Sequence, residues 1–340
     1  MKNIAYFFIT AISIVIVLVF GKTLLIPFVF AILLWFVIRE IRELLDKIPF
    51  VKKRFALWAK NLLTSIIILS ILGFASGLIT ANINALAYSY PKYEANVGSM
   101  VEKVNKAFNI DVFEYINTHS GDIDFGTILR SIFNSLSEIF SSTFMILIYV
   151  AFIFLEEAFF RPKLANMFAD SERFDRIMEI IKSIEISVAK YLGLKTLVSF
   201  ITGVLSYFVL LIIGIDSPVF WAFLIFLLNF IPTIGSLIGT LFPAVFCLLQ
   251  FGEISSALLV LFIVGAIQIV VGNVLEPKLM GSSMNLSALV TILALSFWGA
   301  IWGITGMILS IPITVIMVII FSQFPSTKAV AIMLSEKGEV

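Results

Sequence analysis

The stretch FLLNFIPTIGSLIGTLFP, residues 226–243, decides how this chain is interpreted. It is apolar enough for the interior of a bilayer, yet Pro232 removes a backbone donor and disfavours helix at Ile231. We therefore expect a helix arriving from Ser217 to stop or bend near Pro232. The whole apolar run, 218–250, has 33 residues, whereas two crossings need about 20 residues each plus a turn. The run favours a re-entrant hairpin over two full spans.

Irregular backbone at membrane depth persists only where protein or a water-filled cavity covers it. We therefore interpret the hairpin as the lining of a passage, in which prolines and glycines break the helix and an amide can hydrogen-bond a solute. The alternative is structural: a GxxxG pair lets helices pack closely, and a buried amide can bond a neighbouring helix. The candidate residues of this hairpin are Asn229, Pro232, Gly235, Gly239 and Pro243.

Composition sets the class of protein. The chain has 340 residues, of which 60% are hydrophobic and 13% charged, against about 25% charged in soluble domains, and its mean hydropathy is +1.09. These values predict an all-α polytopic membrane protein. Cys247 is the single cysteine and His119 the single histidine, which excludes a disulfide framework and makes a zinc centre or a Ser-His triad hard to build. We predict no enzyme, cofactor, metal site or nucleic-acid partner.

Apolar runs give the order of the membrane segments. We expect five or six full spans and two interrupted or re-entrant hairpin units, of which the second is broken between Trp298 and Gly306. The runs are 4–20, 23–38, 62–80, 139–155, 196–213, 218–250, 255–275 and 286–321.

Basic residues set the predicted topology. With 39–60 and 156–195 on the cytoplasmic side, that side holds 18 of the 23 Lys and Arg residues, as the positive-inside rule requires. Both termini are then cytoplasmic, 81–137 faces outward, and no basic residue lies within a span.

This order divides the chain into five parts. Helical periodicity in the outer region and again between Phe174 and Val188 predicts amphipathic helices, which either pack as solvated surface helices or form a regulatory surface. The parts are 1–80 with the first spans and a basic linker, the outer region 81–137, 138–195 with the fourth span and a cytoplasmic helix, the transport core 196–321, and the tail 322–340.

A weak internal repeat joins the two hairpins. The span 196–213 runs outward into a hairpin opened from outside, and 255–275 runs inward into a block opened from inside. Opposite orientation of two such units is typical of inverted-topology transporters, with the substrate site at the interrupted segments. We expect the two loops together to shape a route for solute. The remaining candidates are Asn273, Glu276 and Pro277 between the hairpins, and Gly299, Gly303, Gly306 and Pro312 in the second.

Glu276 has two interpretations. At the membrane edge it caps a span beside Lys278, whereas on a tilted or short span it reaches the cavity and becomes a proton or cation site. A sodium or proton antiporter usually needs an acid at depth, and Glu276 is the carboxylate placed to serve.

Three stretches resemble the autoinducer-2 exporter family of bacterial membrane proteins. They are LLNFIPTIGSLIGTLFPAV (227–245), VLEPKLMGSSMNLSALVTILAL (274–295) and FWGAIWGITGMILSIP (297–312). The resemblance implies a location in the bacterial inner membrane and export of a small cyclic signalling molecule used in quorum sensing. It also implies assembly as a ring-like homo-oligomer such as a pentamer. It also implies an alternative, because one branch of the family consists of sodium(lithium)/proton antiporters coupled to a proton or sodium ion. A third function left open is a non-transporting membrane scaffold that organises partners or lipid.

Overall fold

A computed structural model describes residues 2–46, 59–60, 62–67, 70, 73, 77, 81–82, 142–168, 171–280 and 285–338. All regular secondary structure in these residues is helical. The predicted outer region 81–137 lies outside the described residues except at its first two positions, as does most of the predicted third span. The helices are α1 (Lys2–Phe20), α2 (Lys22–Asp46), α3 (Thr143–Met167), α4 (Ser171–Ile213), α5 (Pro218–Leu228), α6 (Ile234–Phe251), α7 (Ile254–Val270), α8 (Glu276–Met280), α9 (Ala288–Ser322) and α10 (Lys328–Leu334), with a π-helical turn at Val271–Leu275 between α7 and α8.

Five helical segments of the described residues are long and apolar enough to cross a membrane. They are Lys22–Arg42, Glu172–Ile213, Ile234–Phe251, Ile254–Met280 and Ala288–Ser322. The bent helix α3 becomes a sixth if its two parts, which meet at 60°, form one span. The prediction of an all-α polytopic membrane protein is confirmed.

Helix α4 differs from its sequence-based prediction. We expected a cytoplasmic amphipathic segment up to 195 and a separate span from 196, but 43 residues from Ser171 to Ile213 form one helix. Charged residues do not interrupt an α-helix, because its backbone groups bond within the helix. The predicted apolar face is present in the first part of α4, where Ile177, Ile181 and Ile184 are half-buried and Val188 is buried.

The chain divides into two compact units. Unit A comprises residues 1–71, 135–193 and 281–340, and unit B comprises 72–134 and 194–280. In unit A, Trp298, Trp302 and Leu309 of α9 form a buried cluster with residues of α2 and with Val188. In unit B, α6 packs along α5 and α7, and Trp221 of α5 stacks on Phe246 of α6 with ring centroids 4.9 Å apart.

Candidate functional site

The first helix break lies in unit B between α5 and α6. Helix α5 ends at Leu228, and the amide of Ile231 donates to the Leu228 carbonyl at 2.8 Å in a tight turn. Thr233 has a φ of +60°, an uncommon value for a residue other than glycine. The interruption predicted at Pro232 is therefore present, with the helix ending four residues before the proline.

The two arms of this hairpin differ in length. Helix α5 has 11 residues and spans about 17 Å, which is too short for a hydrocarbon core of about 30 Å. Helix α6 has 18 residues and at about 27 Å approaches that thickness. The first arm fits a re-entrant segment, and the second has the length of a membrane span.

Two glycines allow the arms to lie close together. A Cβ at Gly235 would overlap the carbonyl oxygen of Leu228, so only glycine fits where α6 passes the end of α5. A Cβ at Gly239 would lie 3.6 Å from the Ile225 side chain and 3.3 Å from Nε2 of Gln268. The glycines thus have the close-packing geometry of a GxxxG pair. Pro243 lies buried further along α6.

Asn229 begins the turn, and its side chain is buried. Its Nδ2 donates to Oγ1 of Thr202 on α4 at 3.3 Å, while the Thr202 hydroxyl donates to the Val198 carbonyl at 2.9 Å. An interhelical hydrogen bond therefore holds the first residue of the break. Asn229 was predicted as a candidate from the sequence but Thr202 was not, because no local pattern identifies a partner 27 residues away.

Glu276 pairs with Lys195, which the sequence predicts at the end of the cytoplasmic segment 156–195. Oε1 of Glu276 accepts from Nζ of Lys195 on α4 at 2.5 Å, and the two side chains are 19% and 6% exposed. The partner is thus Lys195, whereas Lys278 is exposed. Lys195 directly precedes the predicted span 196–213 and lies within the continuous helix α4. The distribution of basic residues had placed 195 and 276 on the same side of the membrane, which is consistent with this pairing.

The π-helical turn Val271–Leu275 directly precedes Glu276. Such turns occur frequently at functional sites, and they place one extra residue in the turn. Asn273 lies within it with an exposed side chain, and Pro277 is also exposed. The structure does not bring these two side chains to the buried Asn229.

The second helix break lies in unit A within α9. Gly303 has φ +62° and ψ −144°, which is not helical. A Cβ at Gly306 would overlap the carbonyl oxygen of Trp298, although residues eight apart in a straight helix are separated by about 12 Å. The chain must therefore reverse, as predicted for 298–306. Gly299 lies against Met307 across the same reversal, and Pro312 is buried in the second arm.

The second break is lined mainly by tryptophan. The rings of Trp298 and Trp302 pack with centroids 5.1 Å apart at an interplanar angle of 44°, and Nε1 of Trp302 donates to the Leu18 carbonyl at 2.9 Å. Ser296, which precedes Phe297 as Asn229 precedes Phe230, is exposed and bonds the Ile292 carbonyl of its own helix. This break shares the glycine-dependent reversal of the first, but its interhelical hydrogen bond joins an indole N–H to a backbone carbonyl rather than two polar side chains.

Comparison with known proteins gives the family. A family model described as AI-2E family transporter matches residues 7–326. The AI-2 transport protein TqsA of Escherichia coli K12 is 31% identical over 327 residues, covering 93% of this chain and 91% of that protein. Two further relatives have names that refer to transport. One from Borreliella burgdorferi is 31% identical over 74% of this chain and 70% of its own length, and YhhT of Escherichia coli K12 is 30% identical over 69% and 70%.

Proposed function

Since this chain belongs to the AI-2E family of transporters, we propose that the solute it moves is a small polar molecule of the autoinducer-2 type. The chain is a multi-pass membrane protein. The observation that carries the proposal is the buried Asn229 amide at the first helix break, bonded to Thr202 of α4. Interrupted membrane helices commonly form the substrate sites of transporters, and a buried amide at such a break offers both a donor and an acceptor to a polar solute.

The first helix break can both bind the solute and allow α5 and α6 to move relative to each other. The amide of Asn229 can exchange the Thr202 hydroxyl for a hydroxyl or carbonyl of the solute, because the exchange replaces one neutral hydrogen bond by another. Pro232 and Gly235 lie where the helix is interrupted between α5 and α6. The angle between these two helices can therefore change by rotation at a few backbone positions in the turn. No covalent step is involved.

We further propose that the direction of transport is export, that identical subunits assemble as a ring, and that both termini are cytoplasmic. Their support is the family resemblance and the distribution of basic residues. A role in quorum sensing follows only if the solute is the signalling molecule itself.

Flux measurement tests the proposed function. The purified protein is reconstituted in liposomes, and movement of an isotope-labelled autoinducer-2 preparation is compared between the parent protein, Asn229→Ala and protein-free liposomes. We expect saturable movement by the parent and roughly fivefold weaker apparent affinity in the variant, since a lost hydrogen bond costs about 1 kcal/mol. Ser296→Ala, a polar deletion at the other break, serves as the control with parent-like flux. No movement by the parent of any polar solute contradicts the proposal.

A cation/proton antiporter remains the second candidate, because Glu276 is a largely buried carboxylate in a membrane protein. The ion pair constrains that mechanism: a sodium ion at Glu276 must displace the ammonium group of Lys195. A pH jump across liposomes containing the parent or Glu276→Gln separates the two functions. Sodium-dependent proton movement that disappears in the variant supports the antiporter, and flux of a neutral solute unchanged by the variant supports the first proposal.

A further inference from the structure

One face of α4 carries buried polar side chains through an apolar helix. Lys195, Ser199, Thr202 and Ser206 follow one another at spacings of four, three and four residues, which places them on one side of the helix. Lys195 is 5% exposed and the three hydroxyl residues are fully buried. The stripe extends for about 17 Å. All four positions belong to unit B.

Several polar atoms of this unit lack a hydrogen-bond partner among the described residues. They are Oγ of Ser199, Oγ of Ser206, Nε1 of Trp221 on α5 and Nε2 of Gln268 on α7. All four residues are more than nine-tenths buried. Buried polar groups in native proteins are almost always hydrogen-bonded to protein or to an ordered small molecule. Four such atoms in one unit are therefore available to a small molecule that offers hydrogen-bonding groups.

Contacts connect these groups to the first helix break. Asn229 bonds Thr202, which stands between Ser199 and Ser206 on the α4 face. Gln268 lies against Gly239 of the same hairpin, at 3.3 Å from where a Cβ would be. Gly203 packs on α5, with a Cβ position 3.1 Å from the Ala222 carbonyl, next to Trp221. The unpartnered atoms thus come from the three helices that pack around the break.

We propose that Ser199, Ser206, Trp221 and Gln268 form a solute-binding seam that selects an uncharged molecule rich in hydroxyl or carbonyl oxygens. The inference rests on the proposed transport function and assigns it a binding surface. The indole N–H and the amide NH₂ are donors and require acceptor oxygens, while the serine hydroxyls donate or accept. The one ionisable side chain of the stripe, Lys195, is already neutralised by Glu276. An anion would bind weakly at the seam, because the ammonium group of Lys195 is paired with Glu276. A cation would bind weakly because the N–H groups of Trp221 and Gln268 carry partial positive charge.

Close packing of small residues is the competing explanation, because serine and threonine commonly line helix contacts in membranes. The two explanations differ in what removal of a hydroxyl does. If Ser199 and Ser206 only pack, their replacement by alanine leaves no unpaired group, so neither the stability nor the affinity for solute should decrease. If they bind solute, the same replacement lowers affinity while the empty protein stays as stable as before.

Cysteine accessibility provides the first test. The lone Cys247 is replaced by alanine, and Ser199→Cys, Ser206→Cys and Ser310→Cys are introduced singly in the full-length protein in liposomes. Ser310 is equally buried, but its hydroxyl bonds the Met307 carbonyl at 2.7 Å, so it is the matched control. We expect methyl methanethiosulfonate, which is neutral, to modify positions 199 and 206 at least tenfold faster than position 310. Equal rates at all three positions overturn the seam.

Charge selectivity and transport complete the test. We expect cationic and anionic methanethiosulfonates to modify positions 199 and 206 at least tenfold more slowly than the neutral reagent. If charged reagents modify these positions as fast as the neutral one, the assignment of an uncharged solute is wrong. We also expect modification at either position to stop solute flux, measured as for the proposed function. Flux that persists after complete modification shows that the seam is wrong while the transport function stands. Absence of flux in the unmodified Cys247→Ala protein, if the parent also has none, shows instead that the transport function is wrong.

Discussion

The two helix breaks share their backbone geometry but not their lining. At both breaks, a glycine in the second arm lies against a backbone carbonyl at the end of the first arm. Gly235 contacts the carbonyl of Leu228, seven residues earlier, and Gly306 contacts the carbonyl of Trp298, eight residues earlier. The first break is surrounded by buried amides and hydroxyls, including Asn229 bonded to α4. The second adjoins the packed rings of Trp298 and Trp302 and the buried side chain of Thr305. The backbone device is thus repeated, while buried amide side chains adjoin only the first break in the part of the chain that the structure describes.

This difference assigns separate roles to the two breaks. A reversal lined with buried hydrogen-bonding groups can recognise a solute, because each group distinguishes partners by geometry. A reversal packed with indole rings is stabilised mainly by burial of large apolar surface. The following predictions test this distinction, starting with the feature that both breaks share.

The largest loss of stability is expected from Gly235→Ala and Gly306→Ala. Each added methyl group would overlap a backbone oxygen that cannot rotate away, so each variant should lose about 3 kcal/mol or more of stability. Thermal unfolding and the yield of monodisperse protein measure this. Gly193→Ala is the control, because a Cβ there meets no atom within 4 Å among the described residues. If the Gly235 and Gly306 variants unfold at the temperature of the control, the reversals are not packed as described.

The next effect concerns the ion pair of unit B. Lys195→Ala leaves a largely buried carboxylate without its partner and should cost about 3 kcal/mol. The double variant Lys195→Met/Glu276→Gln removes both charges and should regain most of that loss. Lys278→Ala, at an exposed position two residues further on, should leave the unfolding temperature unchanged. A double variant as unstable as Lys195→Ala alone would show that the pair is not the source of the loss.

A smaller effect should appear at the polar contact of the first break. Asn229→Ala and Thr202→Val each remove one partner of a buried interhelical bond, and each should cost about 1 kcal/mol. Because they remove the same bond, the double variant should cost less than the sum of the two. A double-mutant cycle in a denaturant titration gives the coupling. Strict additivity would mean that the two side chains do not interact.

The smallest effect should come from the second break. Trp302→Phe removes the hydrogen bond to the Leu18 carbonyl but keeps an aromatic ring, so it should cost about 1 kcal/mol and leave the apparent affinity for the solute unchanged. Unfolding temperature and concentration-dependent flux measure the two quantities. A change in solute affinity without a change in stability would place recognition at the second break as well and remove the distinction.

The sequence predicted the features that depend on local backbone chemistry. Pro232 and the glycines between 298 and 306 restrict the chain within a few residues, so both interruptions were predicted at positions that the structure supports. The continuity of α4 was missed, because a cytoplasmic amphipathic helix within 138–195 and a span from 196 were predicted as two separate elements. The predicted boundary followed a change from charged to apolar residues, and such a change does not by itself end a helix.

Partners distant in the chain were beyond sequence reasoning. Thr202 and Lys195 acquire their roles from residues 27 and 81 positions away, and such contacts exist only after the helices pack. The polar stripe at 195, 199, 202 and 206 was visible as a periodic pattern, but that pattern alone does not separate a binding face from a packed one. The functional roles of the other candidates, including Asn273, Pro277 and Pro312, stay predictions.

Solute protection of a cysteine at position 229 tests the central claim most directly. Asn229→Cys and Ser296→Cys, each in the Cys247→Ala protein in liposomes, are labelled with a neutral maleimide in the absence and presence of a saturating transported solute. The account predicts that the solute slows labelling at 229 several-fold and leaves 296 unchanged, because recognition occurs at the first break. Equal labelling of position 229 with and without solute, in a protein that still transports it, would contradict the account.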